Sequence, residues 1–168
     1  MYRWYKNAYI CYAYLVDVST ASRAHLSAPE LESDPHLNYL LRLWDPLPRS
    51  RYFSRGWTLQ ELIAPNIVEF YDVDWVEIGT KASLREKLAE ITGIDIRVLD
   101  GADPSVCNAA ERMSWASSRK TTRVEDAAYC MLGLFDIFLP LLYGEGQRAF
   151  TRLQEEILKT TEDYTLLA

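Results

Sequence analysis

The chain contains only two histidines, His25 and His36, and three cysteines, Cys11, Cys107 and Cys130. An odd cysteine count without a C-x-x-C pair argues against a disulfide framework or a zinc site, and it suits a reducing compartment. No metal site is expected. The histidines stand in a stretch without hydrophobic period and no G-x-S-x-G accompanies them, so a hydrolytic triad lacks its parts. No apolar run reaches the roughly 18 residues of a membrane span. The longest, Met131 to Leu142, is broken by Gly133, Asp136 and Pro140. The net charge is −6 and no dense Lys/Arg stripe appears, so a nucleic-acid footprint is not supported. The short basic cluster Arg49, Arg51 and Arg55 reads as a solvated loop. Met1 to Lys6 is polar and aromatic, unlike a signal peptide, and a cytoplasmic location is the expectation.

What the chain does have is apolar mass. Its 168 residues are 49% hydrophobic, with five Trp and eleven Tyr, enough for one domain with its own core. Tyr9 to Val16 (Y-I-C-Y-A-Y-L-V) reads as a buried strand, because it is rich in aromatic and β-branched residues. Met1 to Asn7 reads as the last turn of a helix. The region 19–47 is a variable loop with Ser, Ala, Pro and acidic residues in no period. Ser54 to Ala64 predicts a short helix capped by Ser54 and stopped by Pro65. Ile67 to Tyr71 is a strand by composition, and Trp75 to Ile78 extends it or pairs with it.

Two S/T-x-x-E capping boxes are expected, Ser83 with Glu86 and Thr122 with Glu125. The first opens a helix through Leu84, Leu88 and Ile91 that Gly93 ends. The second opens one whose face is Val124, Ala127, Ala128, Met131 and Leu132. Cys130 lies on that face and is expected to be inert packing. A last helix, Glu145 to Lys159, carries the stripe Phe150, Leu153 and Ile157 and an i,i+4 pair of Glu155 with Lys159. The sum is an α/β domain whose C-terminal half is helical.

The stretch Trp57 to Ile63 (W-T-L-Q-E-L-I) is the one with chemical content. At about 100° per residue, Leu59 and Ile63 share a buried face, and Trp57, Gln60, Glu61 and Ala64 point the other way. A carboxylate one turn from an indole can hold a ribosyl or base group and stabilise a cationic transition state. The bland alternative is a solvated glutamate beside a partly buried tryptophan. The polar run Arg119, Thr121, Thr122, Arg123, Glu125 and Asp126 reads either as a contact surface or as capping plus an Arg–carboxylate network. Tyr143 to Gly146 (Y-G-E-G) is a turn rather than a phosphate loop, since it lacks the Walker and dinucleotide spacings.

R-G-W-T-L-Q-E-L-I-A-P at Arg55 to Pro65 resembles the signature block of fungal heterokaryon-incompatibility (HET) domains. W-V-E-I-G at Trp75 to Gly79, R-M-S-W-A-S-S-R-K-T-T-R-V-E-D-A-A-Y-C-M-L-G-L-F at Arg112 to Phe135, and P-L-L-Y-G-E-G-Q-R-A-F-T-R-L-Q-E-E-I at Pro140 to Ile157 continue that likeness in order. The resemblance implies a self/non-self recognition and programmed-cell-death module, with other HET or NOD-like receptor modules, or further copies of itself, as partners. HET domains are in turn similar to TIR domains, whose NAD-cleaving members carry a glutamate within a W-C-L-x-E-L run. W-T-L-Q-E-L at Trp57 to Leu62 is similar to that run. The resemblance therefore implies an incomplete TIR-like, flavodoxin-like parallel sheet flanked by helices. It implies Glu61 as the residue that engages the nicotinamide ribose, Trp57 packing beside the pocket and Arg55 meeting a phosphate. NAD would be a substrate, with no permanently bound cofactor. HET domains begin with A-L-S-Y-x-W-G-like and W-I-D-T-x-C-I-like strands that this chain does not show. The expectation is a domain that starts inside its fold, inactive alone as an NAD glycohydrolase. A non-catalytic interaction fragment of the same family is the alternative.

Overall fold

The computed structural model describes residues 1–20, 46–160 and 165. His25, His36 and most of the 19–47 loop lie outside the described residues. Helix α1 (Tyr2–Lys6) leads into strand β1 (Cys11–Tyr14). After two 3-10 turns, Leu47–Arg49 and Arg51–Ser54, come α2 (Thr58–Ile63), β2 (Val68–Tyr71) and β3 (Glu77–Thr80). Helices α3 (Arg85–Thr92), α4 (Ile96–Leu99), α5 (Ala109–Ser117), α6 (Asp126–Tyr129) and α7 (Arg148–Thr160) make up the rest.

Among the described residues the sheet is three-stranded, in the order β1-β2-β3. β1 pairs β2 in parallel, with Ala13 opposite Phe70, as the strand–helix–strand pattern predicts. β3 pairs β2 antiparallel, so the sheet is mixed rather than wholly parallel. The connection decides this: the few residues between Tyr71 and Glu77 can close a hairpin but cannot carry a parallel crossover. Asp72, fully buried, organises that turn by accepting from the backbone N–H groups of Asp74 and Val76, each at 2.9 Å.

Among the described residues, only one face of the sheet is covered. Ala13, Val68, Phe70 and Ile78 point into the core and meet Leu59, Leu62, Leu88 and Val98 from the helices. The other face carries Tyr12 and Tyr14, and with Tyr71 and Trp75 they form an exposed aromatic ladder in which Tyr14 stacks on Trp75 at 4.7 Å between ring centroids. β1 is therefore half-buried, not buried as its composition suggests, because tyrosine serves a solvated pleat as well as a core.

The expected helix ends hold in part. Gly93 ends α3 at φ +70, a left-handed cap that a side chain would oppose. α7 buries Leu153 and Ile157, with Phe150 partly covered. Both expected capping boxes are absent, since other partners, near in sequence for Ser83 and distant for Glu125, claim their side chains. The Ser83 hydroxyl exchanges hydrogen bonds with Thr80, and α3 starts at Arg85 with no side-chain cap. Glu125 instead accepts from the N–H groups of Gly144 at 2.7 Å and Gly146 at 3.0 Å, which pins the Y-G-E-G turn, and α6 starts only at Asp126. The box that does form is Asn108 with Glu111, at the start of α5. Lys159 pairs with Glu156 at 3.2 Å rather than with Glu155.

Candidate functional site

The helix α2 begins three residues later than its sequence suggests. Ser54 closes a 3-10 turn, and Arg55 is extended, at φ −91 and ψ 138. The reason is a long-range pairing: Lys120 N–H donates to Ser54 O at 2.7 Å, and Gly56 N–H donates to Lys120 O at 2.9 Å. Arg55 and Lys120 thus form a parallel bridge. Arg119 reinforces it, its Nη1 donating to Arg55 O at 3.0 Å and to Thr58 Oγ1 at 2.9 Å. Residues 54–58 and 119–121, far apart in the chain, run side by side.

Two adjoining cavities flank this seam, and both touch Gly56 and Thr121. The smaller, about 250 Å³, is lined by Arg55, Trp57, Lys120, Thr122 and Asp126 besides those two. The larger, about 490 Å³, has walls of Met113, Ala116, Ala127, Cys130, Met131 and Phe150, with Arg119 at its edge. Burial pulls the Arg119 guanidinium down to about 10, and no carboxylate contacts it among the described residues. Burial likewise pushes the Cys130 thiol up to about 12, so it stays neutral, as expected of packing.

Glu61 has a different neighbourhood. Its carboxylate accepts a hydrogen bond from the Tyr5 hydroxyl at 3.1 Å, and α1 packs on α2 around that contact. Burial, then the charge and hydrogen bond of Glu61, pushes Tyr5 up to about 12. Cys11 and the fully buried Tyr52 also feel that carboxylate, and the Tyr52 hydroxyl has no hydrogen-bond partner among the described residues. Of the three expected site residues, Arg55 and Trp57 share the small cavity. Glu61 is not part of its lining.

No family model and no solved structure matches the chain. Among curated proteins, it is 42% identical over 160 residues to the vegetative incompatibility protein HET-E-1 of Podospora anserina, a match that covers 95% of this chain and 11% of that protein. The chain belongs to the heterokaryon-incompatibility domain family.

The two most distinctive HET-like blocks, Arg55 to Pro65 and Arg112 to Phe135, are the two segments that the backbone bridge joins. Gln60 ties them again. It was expected to face outward with Ala64, yet both are buried, and its Nε2 donates to Cys130 O at 2.6 Å. The helical wheel misplaced it because the wheel knows one covering surface, and α2 is covered on two sides. The polar run at 119–126 forms neither the expected capping nor an Arg–carboxylate network. Arg119 takes carbonyl oxygens, Arg123 lies over the Tyr143 ring at 4.6 Å, and Asp126 accepts from the Tyr143 hydroxyl at 2.9 Å. Lys120, which sequence reasoning did not single out, is the residue that joins the two blocks. Among the described residues no helix is long and apolar enough to cross a membrane, and no cluster of three His, Cys, Asp or Glu residues could hold a metal ion.

Proposed function

We propose that this chain is a vegetative-incompatibility module, the part of a fungal recognition system that commits cells to death after fusion of unlike partners. The identity to HET-E-1 along nearly the whole chain carries this reading. The chain spans about a ninth of that relative's length, 11%, so it corresponds to one module of a longer protein there. The test is to express residues 1–168 from an inducible promoter in a filamentous fungus, alone and in place of the matching segment of HET-E-1, and to score vital-dye uptake. Death in either setting is the expected result. Normal growth in both, with the protein present on a blot, overturns the proposal.

Two mechanisms are open to such a module, and one observation favours the second. In the first, β1, α2 and β2 belong to a TIR-like sheet, and Glu61 engages the ribose of NAD while Trp57 and Arg55 hold the rest. The parallel pairing of β1 with β2 supports that kinship. In the second, the module acts through contacts with other HET or receptor modules or with copies of itself. The Tyr5 hydroxyl engages the Glu61 carboxylate, and this favours contacts, because the proposed acid is already paired and lies apart from the cavity that Trp57 and Arg55 line. NAD loss by the purified chain, abolished by Glu61→Gln, would restore the first mechanism.

A further inference from the structure

The groove beside the Arg55–Lys120 bridge has two chemically distinct ends. The chamber walls are thioether, phenyl and methyl groups from Met113, Met131, Phe150, Ala116 and Ala127. The hydroxyl donors on those walls are engaged locally. Ser114 and Ser117 donate back to Glu111 O at 2.6 Å and Ser114 O at 2.7 Å, and Thr121 donates to Arg123 O at 2.6 Å. Arg119 gives three of its N–H donors, on Nε and Nη1, to Trp115 O, Arg55 O and Thr58 Oγ1. A nucleobase or ribose depends on directional partners, whereas an alkyl chain needs none and suits the apolar part of this surface.

The mouth differs. Arg55 and Lys120 are bridge partners and line the same small cavity, and the side chain of neither has an ion pair among the described residues. Arg119, in the lining of the larger cavity, adds a third positive charge nearby, in a chain whose net charge is −6. Asp126, the one carboxylate in the lining among the described residues, is engaged by Tyr143. Gly56 and Thr121 border both cavities, so the cationic cavity adjoins the apolar chamber across their contact. The apolar chamber alone, about 490 Å³, is within the range of small-ligand sites.

We propose that this groove binds a single-chain anionic amphiphile, such as a fatty acid or lysophospholipid, its tail among Met113, Met131 and Phe150 and its head between Arg55 and Lys120. Charge at one end and dry apolar walls at the other select this class over a free phosphate or a nucleotide. The proposal does not depend on the incompatibility reading or on the role of Glu61.

Isothermal titration of the full chain with dodecanoate, dodecanol, inorganic phosphate and NAD tests it. Saturable one-to-one binding of dodecanoate is expected, with dodecanol weaker by about tenfold for the lost charged contact. Arg55→Ala with Lys120→Ala, both exposed, should weaken dodecanoate about tenfold or more and leave dodecanol unchanged. Ala116→Phe, which fills the chamber, should remove both ligands while the circular dichroism spectrum stays native. If that variant unfolds, the double alanine variant still decides. Non-saturable uptake, equal affinity in the double variant, or phosphate or NAD binding as tightly as dodecanoate would overturn the proposal.

Discussion

The backbone of Gly56 rests directly against the Thr121 methyl group, with the Cys130 sulfur close by, so that a β-carbon at position 56 would overlap the methyl and come within 3.3 Å of the sulfur. Glycine is required here for closeness, not for an unusual backbone angle. It is what lets the 54–58 and 119–121 segments run side by side. Gly56→Ala should therefore cost about 2 kcal/mol by overpacking. Thr121→Ser removes the obstructing methyl but keeps the hydroxyl that donates to Arg123 O. Added to Gly56→Ala it should recover roughly half of the loss, a positive coupling visible in urea denaturation. Simple additivity of the two changes would show that the contact does not limit the approach.

The Tyr5–Glu61 hydrogen bond is the main polar tie between α1 and α2. Tyr5→Phe deletes the donor and should lower stability by about 1 kcal/mol. Glu61→Gln keeps an oxygen that the hydroxyl can donate to, so it should cost less. A double-mutant cycle of Tyr5→Phe with Glu61→Ala should return a coupling near 1 kcal/mol. A coupling near zero would mean that α1 is held by packing alone, through Tyr2 lying on Gly133.

How much of this was readable beforehand depends on what each residue answers to. β1 and β2, the Gly93 stop and the Leu153–Ile157 stripe follow from local preference, and the fold keeps them. Ser54, Ser83, Thr122 and Gln60 were misassigned, and two of these share a cause. Ser54 and Gln60 sit where local rules offer one partner and the tertiary structure supplies another: Lys120 N–H for the Ser54 carbonyl, Cys130 O for Gln60. Ser83 is held by Thr80, three residues before it, in the turn ahead of α3. Thr122 lost its role because its intended partner, Glu125, is taken by the Gly144–Gly146 turn. Of the groove, the sequence pointed to separate pieces, Arg55 and Trp57 in one block and Thr121, Thr122 and Asp126 in another, but not to their juxtaposition. Its mouth is made by a backbone bridge between residues 55 and 120, and no period or motif in a single sequence encodes that pairing.

Asp72 should be the most acid-sensitive point of the sheet. Burial alone would push its carboxyl up, but hydrogen bonds from the Thr20 hydroxyl at 2.6 Å and the N–H groups of Thr20, Val76 and Asp74 hold it below the usual carboxylate value of 3.8. A depressed folded value means that its stabilisation is complete above pH 3.8 and is lost as pH falls through the folded value. Asp72→Ala leaves those donors without an acceptor and should cost about 3 kcal/mol at neutral pH. The wild-type advantage over the variant should shrink in the acid limb below pH 3.8. An advantage that does not change with pH there would show that the aspartate acts by shape alone.

Lys81 sets the opposite limb. It is 3% exposed, and its Nζ donates to the carbonyl oxygens of Ile63 and Pro65 at the end of α2. Burial pulls it from 10.5 down to about 8, against weaker support from Cys11 and Asp100. Below pH 8 the amine is charged in both folded and unfolded chains, and the cost of burying that charge is fully present. Between pH 8 and 10.5 the folded chain gives up the proton while the unfolded chain keeps it, so this residue's contribution rises with pH. Tyr2 and Tyr5, each pushed up to about 12 chiefly by burial, act the other way once unfolded tyrosines ionise near pH 10. The raw stability curve mixes these effects, and a comparison with Lys81→Met separates them, because the tyrosines are common to both proteins. Urea midpoints measured from pH 7 to 10 should show the wild type gaining on the variant only above pH 8. A difference that stays flat across that range would mean that Lys81 keeps its ordinary proton affinity despite its burial, held by the two carbonyls it caps.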